Sequence, residues 1–227
     1  MDNLVQGATL QIVSLQVGKP RWHESGLPGS SGDQRWYSGI IKETAQSPLM
    51  LTEFNLVGDG QADAINHGGR DKAVMAYAYA HYAHWLVDLQ REHLPTAAFG
   101  ENFTVGNCDE SQVCIGDIYK VGDAIVQVSQ PRQPCWKQER LLNATGLIGK
   151  MTQTSRTGWY YRVIQPGKVA TGSLLELIER KFPHLTISAE NGIMYARPTV
   201  NTDDLALSAC PLLSQSWVSA LMRRANS

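Results

Sequence analysis

Between Phe103 and Ile178 the chain alternates short β-branched runs with tight turns, and this rhythm constrains the fold more than any other feature. Phe103–Val105, Val113–Ile115, Ile118–Val121 and Ala124–Ser129 read as strands, punctuated by Gly116-Asp117 and Gly122-Asp123. Gly-Asp pairs suit tight β-connections, because glycine adopts positive φ and aspartate bonds its own backbone. Trp159–Ile164 and Leu174–Ile178 continue the series around Pro166-Gly167, and Thr9–Val17, Leu49–Leu51, Phe54–Val57 and Val74–Tyr79 precede it. Strands spaced this closely, with few helices between them, predict a barrel and not a parallel α/β sheet.

Helical periodicity is confined to a few places. Tyr82, Trp85, Leu86, Leu89 and His93 recur at helical spacing over Ala80–His93, with Pro95 as a stop and the aromatics as core packing. Short helices are predicted near Lys137–Asn143 and Gly146–Thr152. After Pro183 the character changes: Thr186, Asn201 and Ser214 are helix-capping residues, and the last helix runs to Arg223-Arg224. The expected architecture is mainly β with α, a β-barrel-like domain over 1–182 and a small C-terminal helical bundle over 183–227. The Gly-, Ser- and Pro-rich stretch Gly18–Gly39 is a long loop flanked by Trp22, Trp36 and Tyr37, which predicts that it folds back onto the body. The part from Glu24 to Gln34 receives no role.

Charge removes several classes of function. Lys plus Arg number 20 against 21 Asp plus Glu, a net charge of -1, so no overall field draws nucleic acid or an anionic membrane. In the C-terminal helices Arg197, Arg223 and Arg224 are balanced by Glu190, Asp203 and Asp204, which speaks against a stable nucleic-acid module there. No apolar run approaches the roughly 20 residues that span a bilayer. Met1–Thr9 shows no basic start followed by an apolar stretch, so a cytoplasmic protein is expected. The four cysteines, Cys108, Cys114, Cys135 and Cys210, form neither a C-x-x-C pair nor zinc-ligand spacing, which suits reduced thiols.

Of these, Cys135 has the most informative setting, Gln130-Pro131-Arg132-Gln133-Pro134-Cys135-Trp136-Lys137. Two prolines stiffen the backbone and hold the preceding residues extended, which fixes one side chain in place. Arg132 and Lys137 are close in sequence, and cations beside a thiol favour the thiolate that attacks electrophiles and binds soft metals. The alternative is a small buried apolar residue, the commonest role of a free cysteine. Cys114 in a strand and Cys210 in a helix read as packing.

The loop His67-Gly68-Gly69 offers main-chain N–H groups that an anion can approach, with Arg70 and Lys72 as added charge; a plain turn is the competing reading. Neither of the standard glycine-rich nucleotide loops occurs. His81 and His84 share a helix face without a third ligand and read as packed or solvated. Asn102, in Phe99-Gly100-Glu101-Asn102, has the donor and acceptor capacity to match a heterocycle edge or to stabilise a turn.

Five of these strings occur in an order that resembles the MOSC family, named for the C-terminal domain of molybdenum cofactor sulfurases. They are Gly58-Asp59-Gly60-Gln61-Ala62-Asp63, His67-Gly68-Gly69 with Asp71-Lys72-Ala73-Val74, Phe99-Gly100-Glu101-Asn102, Ile115-Gly116-Asp117, and Ser129 through Lys137. The helical tail resembles the element that follows the domain in the stand-alone bacterial branch. The resemblance implies a molybdenum cofactor (molybdopterin), with Cys135 as the protein ligand to molybdenum and a catalytic residue. It implies Lys42, His67, Gly68, Gly69, Arg70, Asn102 and Arg132 around that cofactor, and Asp59 or Asp63 to orient a cation or relay a proton. The implied activity is reduction of N-hydroxylated small molecules, hydroxylamino nucleobases included, with an external electron-donor protein. Arg70 departs from the proline that often follows His-Gly-Gly. The second reading is a sulfur carrier or cofactor-handling protein with a persulfide on Cys135. A homodimer is compatible with either.

Overall fold

A computed structural model describes residues 9–24, 35–46 and 48–226. Its strands are β1 (Leu10–Val17), β2 (Arg21–His23), β3 (Trp36–Ser38), β4 (Glu43–Thr44), β5 (Leu49–Leu51), β6 (Val74–Ala78), β7 (Phe103–Gly106), β8 (Ile118–Val121), β9 (Ala124–Pro131), β10 (Trp159–Gln165), β11 (Gly167–Val169) and β12 (Leu174–Glu179). Its helices are α1 (Ala64–His67), α2 (Ala80–Asp88), α3 (Trp136–Leu142), α4 (Leu147–Gln153), α5 (Ile187–Tyr195), α6 (Asn201–Ser208) and α7 (Gln215–Ala225).

Seven strands form a closed barrel in the order β12-β8-β9-β10-β6-β7-β1, and β1 closes it by pairing Leu10 with Leu175. Every pairing is antiparallel except β6 with β7, which are linked by the crossover through α2. The β8–β9 hairpin turns on Gly122-Asp123; Gly122 has φ +55, and a Cβ there would stand 2.3 Å from the Lys168 carbonyl oxygen. Only glycine fits that turn. Ile12, Phe103, Val105, Tyr119, Val126, Val128, Trp159 and Tyr161 are buried within the core, as expected of a barrel this small, which side chains fill completely.

The C-terminal helices share that core: Ile187, Leu207, Trp217 and Leu221 belong to the same buried cluster as the barrel residues. Thr186 and Ser214 cap α5 and α7, accepting from the N–H groups of Ala189 and Trp217. Asn201 is instead the first residue inside α6, whose N-cap is Val200. Ser214 N–H donates to the Ser129 carbonyl (2.9 Å), so α7 is seated on β9. Cys210 lies past the end of α6 and is buried.

Other local departures have simple causes. α2 ends at Asp88, well before Pro95, because Gln90 adopts φ +52 and the Arg91 N–H turns back to the Leu86 carbonyl. Val113–Ile115 contributes only a bridge from Cys114 to Thr186, with the Asp117 carboxylate accepting the Cys114 N–H (3.0 Å). Likewise 54–57 contributes only the bridge Leu51–Leu56. Trp36 is buried and packs on Trp136 with centroids 6.1 Å apart, so β3 returns to the body; residues 25–34 lie outside the described residues.

Candidate functional site

Four chain segments meet at one end of the barrel around the turn Phe99–Asn102. Gly100 has φ +79 and passes Ile40 so closely that a Cβ would lie 2.8 Å from Cγ1. Glu101 is fully buried and braces the turn, accepting from the Tyr82 hydroxyl (2.5 Å), the Phe99 N–H (3.2 Å) and the Thr104 hydroxyl (3.1 Å). Burial pushes the Glu101 carboxyl above its ordinary range, and burial beside Glu101 pushes Tyr82 up as well.

Asn102 uses its side-chain amide on the protein. Its Oδ1 accepts from the Met75 N–H (3.1 Å), and its Nδ2 donates to the Gln16 carbonyl (3.2 Å) and to Asp59 Oδ2 (2.9 Å). Asp59 also accepts the Gly18 N–H (2.8 Å) and forms a buried ion pair with Lys42. The surrounding main chain is close-packed: a Cβ on Gly39 would stand 2.4 Å from the Gly60 carbonyl oxygen.

The opposite wall comes from the end of β9. Arg132 N–H donates to the Gly158 carbonyl (3.0 Å), and its Nη2 donates to the Phe99 carbonyl (3.2 Å). The guanidinium is buried beside Tyr160, and among the described residues its Nη1 has no hydrogen-bond partner. Cys135 is the N-cap residue of α3, its N–H donating to Gln138 Oε1 (3.2 Å); Gln138 Nε2 donates to the same Phe99 carbonyl (3.1 Å). Cys135 is half-buried, whereas Cys108, Cys114 and Cys210 are buried. Burial pushes the Cys108 thiol well up and the Cys114 thiol up to about 11, which keeps both protonated.

The third wall is the loop after Asp59. Asp63 caps α1 by accepting the Asn66 N–H (3.0 Å), which brings His67 into the cleft. Burial, then the cations Arg132 and Lys137, push the His67 imidazole below its ordinary range, so it is neutral at pH 7. Gly69, at φ +95, turns the chain into a single 3-10 turn over Arg70–Lys72. Asp71 ties that turn to the barrel: Arg162 Nε donates to its carboxylate (2.8 Å), and Ser129 donates to its carbonyl (2.6 Å).

The result is a cleft with about 630 Å³ of space, its open mouth included, lined by Lys42, Asp59, His67, Asn102, Arg132 and Cys135 among others. Seven of the residues that the resemblance implies therefore converge, Asp63 included. Gly68, Gly69 and Arg70 do not line the cleft; Arg70 turns outward to pair with Glu53 (2.6 Å) and to stack over Phe54. Lys72, Lys137, Met75, Phe99 and Tyr160 also line it. Lys72 was visible in the ordered motifs, and Lys137 by its place beside Cys135. Tyr160 is one of several aromatics in an apolar strand and carries no such signal. His81 lies elsewhere, buried against Glu110 (2.5 Å).

Four lysine or arginine side chains face two carboxylates in the cleft, and one carboxylate, Asp59, already neutralises Lys42. The surplus is positive although the whole chain is nearly neutral. The cleft thus brings a half-buried thiol together with a surplus of cations at one end of a closed seven-strand barrel. The chain belongs to the MOSC domain family, whose model matches residues 63–176. The uncharacterized protein YflK of Bacillus subtilis is 40% identical over 213 residues, covering 94% of this chain and 93% of that protein. A crystal structure of YiiM from Geobacillus stearothermophilus superposes with a TM-score of 0.78 at 33% identity, covering 95% of this chain and 99% of that one. A protein of Gibberella moniliformis described as a reductase is 32% identical over 188 residues, which are 82% of this chain and 32% of that longer protein.

Proposed function

We propose that this protein is a molybdenum-cofactor-dependent reductase that converts N-hydroxylated compounds, hydroxylamino nucleobases among them, to the corresponding amines. An external donor protein supplies the electrons. The overall change is R–NHOH + 2 e⁻ + 2 H⁺ → R–NH₂ + H₂O. The observation that carries the reading is the convergence of Cys135 and Arg132 in the lining of one cationic cleft, the buried guanidinium keeping an Nη1 without a partner among the described residues. The reductase among the relatives supports the reaction type.

The donor set fits the group. Arg132, Lys72 and Lys137 are suited to the anionic parts of a pterin cofactor, Arg132 with a fixed guanidinium and the lysines as point charges. Cys135 offers one soft ligand; the other ligands to a metal there would belong to the cofactor. When bound, the cofactor supplies the two-electron, oxygen-atom chemistry that side chains lack. Neutral His67 presents one ring N–H and one lone pair, which lets it accept a proton at one nitrogen and release one from the other. Asp59, engaged by Lys42, Gly18 and Asn102, acts by holding Lys42 in place. Met75, Phe99 and Tyr160 limit water around the reacting centre.

The test is molybdenum and pterin analysis of protein made in a host competent for cofactor synthesis, beside Cys135→Ala. Wild type is expected to carry molybdenum and the variant to lose it. Molybdenum absent from wild type, or present equally in both, overturns the reading; sulfane sulfur on Cys135 without turnover of a hydroxylamine transfers support to the sulfur-carrier function.

A further inference from the structure

The Phe99 carbonyl accepts two side-chain hydrogen bonds, from Arg132 Nη2 and from Gln138 Nε2, and the other end of the Gln138 amide accepts the Cys135 N–H. We propose that Gln138 is a positioning residue that ties the Cys135 main chain to the Arg132 guanidinium through this one shared carbonyl, so that thiol and cation are set as a unit.

Three features make this more than packing. Pro131 and Pro134 carry no N–H, so the segment between β9 and α3 has few main-chain donors with which to anchor itself, and Cys135 N–H is one of them. Gln138 is fully buried and both ends of its amide are engaged, so any shift of α3 or of the turn is transmitted. The carbonyl itself is held from behind, since Gly100 N–H donates to the Ala97 carbonyl (2.8 Å) and Phe99 N–H donates to Glu101. The role in turnover rests on the molybdenum reading; the placement of the thiol does not.

The experiment is iodoacetamide alkylation at each cysteine, followed by mass spectrometry, on cofactor-free wild type, Gln138→Met and Gly100→Ala. Gln138→Met preserves volume and removes both bonds. Gly100→Ala sets a Cβ 2.8 Å from Ile40 Cγ1 at a positive φ, a strain expected to shift the turn that carries the Phe99 carbonyl while leaving Cys135 itself unchanged. In both variants Cys135 is expected to react about tenfold faster, the scale of one well-formed buried hydrogen bond. Cys108, Cys114 and Cys210, buried elsewhere, stay within about twofold of wild type and report on global loosening. Should Gln138→Met fail to fold, Gly100→Ala decides alone. A Cys135 rate equal to wild type, or acceleration at all four cysteines together, overturns the proposal. In cofactor-loaded protein the same variants are expected to lower kcat about tenfold with KM within about threefold. Wild type without molybdenum would void the reductase reading alone, because the alkylation rates still decide the role of Gln138.

Discussion

Glu190 offers a sharp test of the energetics of this fold. It lies on the inner face of α5 with Ile187, Asn191 and Met194, fully buried, and among the described residues neither carboxylate oxygen has a hydrogen-bond partner. Burial alone pushes its carboxyl from near 4.5 up to about 8. The folded protein therefore holds a proton that the unfolded chain releases between those values. The unfolded state binds fewer protons in that window, so stability falls as pH rises; the favourable state is complete below pH 4.5 and lost as pH climbs through 8. At about 1.4 kcal/mol per pH unit the loss is a little over 3 kcal/mol at pH 7 and about 5 kcal/mol above pH 8. Glu190→Gln replaces the neutral carboxyl with a neutral amide of the same shape. Urea unfolding followed by tryptophan fluorescence at several pH values between 5 and 9 measures the difference between the two proteins, which cancels the other titrating groups. The variant is expected to match wild type within about 1 kcal/mol at pH 5 and to be more stable by about 4–5 kcal/mol at pH 8.5. A constant difference across that range would refute the argument that Glu190 is buried without compensation.

Other outcomes follow from particular contacts. Asn102→Ala strips partners from the Met75 N–H, the Gln16 carbonyl and Asp59, and is expected to cost about 2–4 kcal/mol in urea unfolding and to reduce molybdenum content. Arg132→Met removes the buried cation facing the cleft; it is expected to abolish cofactor retention, read by metal analysis, while Arg70→Ala leaves it unchanged because Arg70 faces Glu53. Gly122→Ala places a Cβ against the Lys168 carbonyl in a left-handed turn, and a loss of about 2 kcal/mol or more is expected in the same unfolding assay. His67 is neutral at pH 7, so acidification through its lowered range adds charge beside Arg132 and Lys137; activity with His67 intact is expected to fall at low pH, and His67→Gln to flatten that acid limb.

The barrel was legible in the sequence because its information is local: period-two runs and Gly-Asp turns specify strands and tight returns wherever they occur. Helix ends were less so. The stop of α2 depends on Gln90 entering the left-handed region, which no residue type at that position announces, whereas Thr186 and Ser214 are capping residues by chemistry and do cap. Val113–Ile115 has strand composition but is held by the Asp117 carboxylate and a single bridge, a tertiary decision. The candidate site was legible as a set of strings and illegible as an arrangement. Arg70 and Lys72 flank Asp71 in the same 3-10 turn, yet one faces Glu53 and the other lines the cleft, because Asp71 fixes the rotation of that turn. Gln138 sits in an ordinary helical sequence and becomes informative only when the Phe99 carbonyl, distant in the chain, is placed beside it.

The division of labour in the cleft follows from those contacts. Asn102, Asp59 and Gln138 direct most of their hydrogen-bonding capacity at the protein, joining Gln16, Gly18, Lys42, Met75, Phe99 and Cys135 into one scaffold. What lines the cleft with capacity to spare is a narrower set, chiefly Cys135 and Arg132, whose buried Nη1 has no partner among the described residues. A ligand thus meets groups already fixed by folding, so little ordering is left to oppose its binding. The same arrangement means that the residues deciding where the thiol stands are largely not those that would touch the ligand. Substitutions at Asn102 or Gln138 should therefore displace the site as a whole, and one at Arg132 should also release the Phe99 carbonyl, while one at Cys135 should remove a single contact from a site left in place.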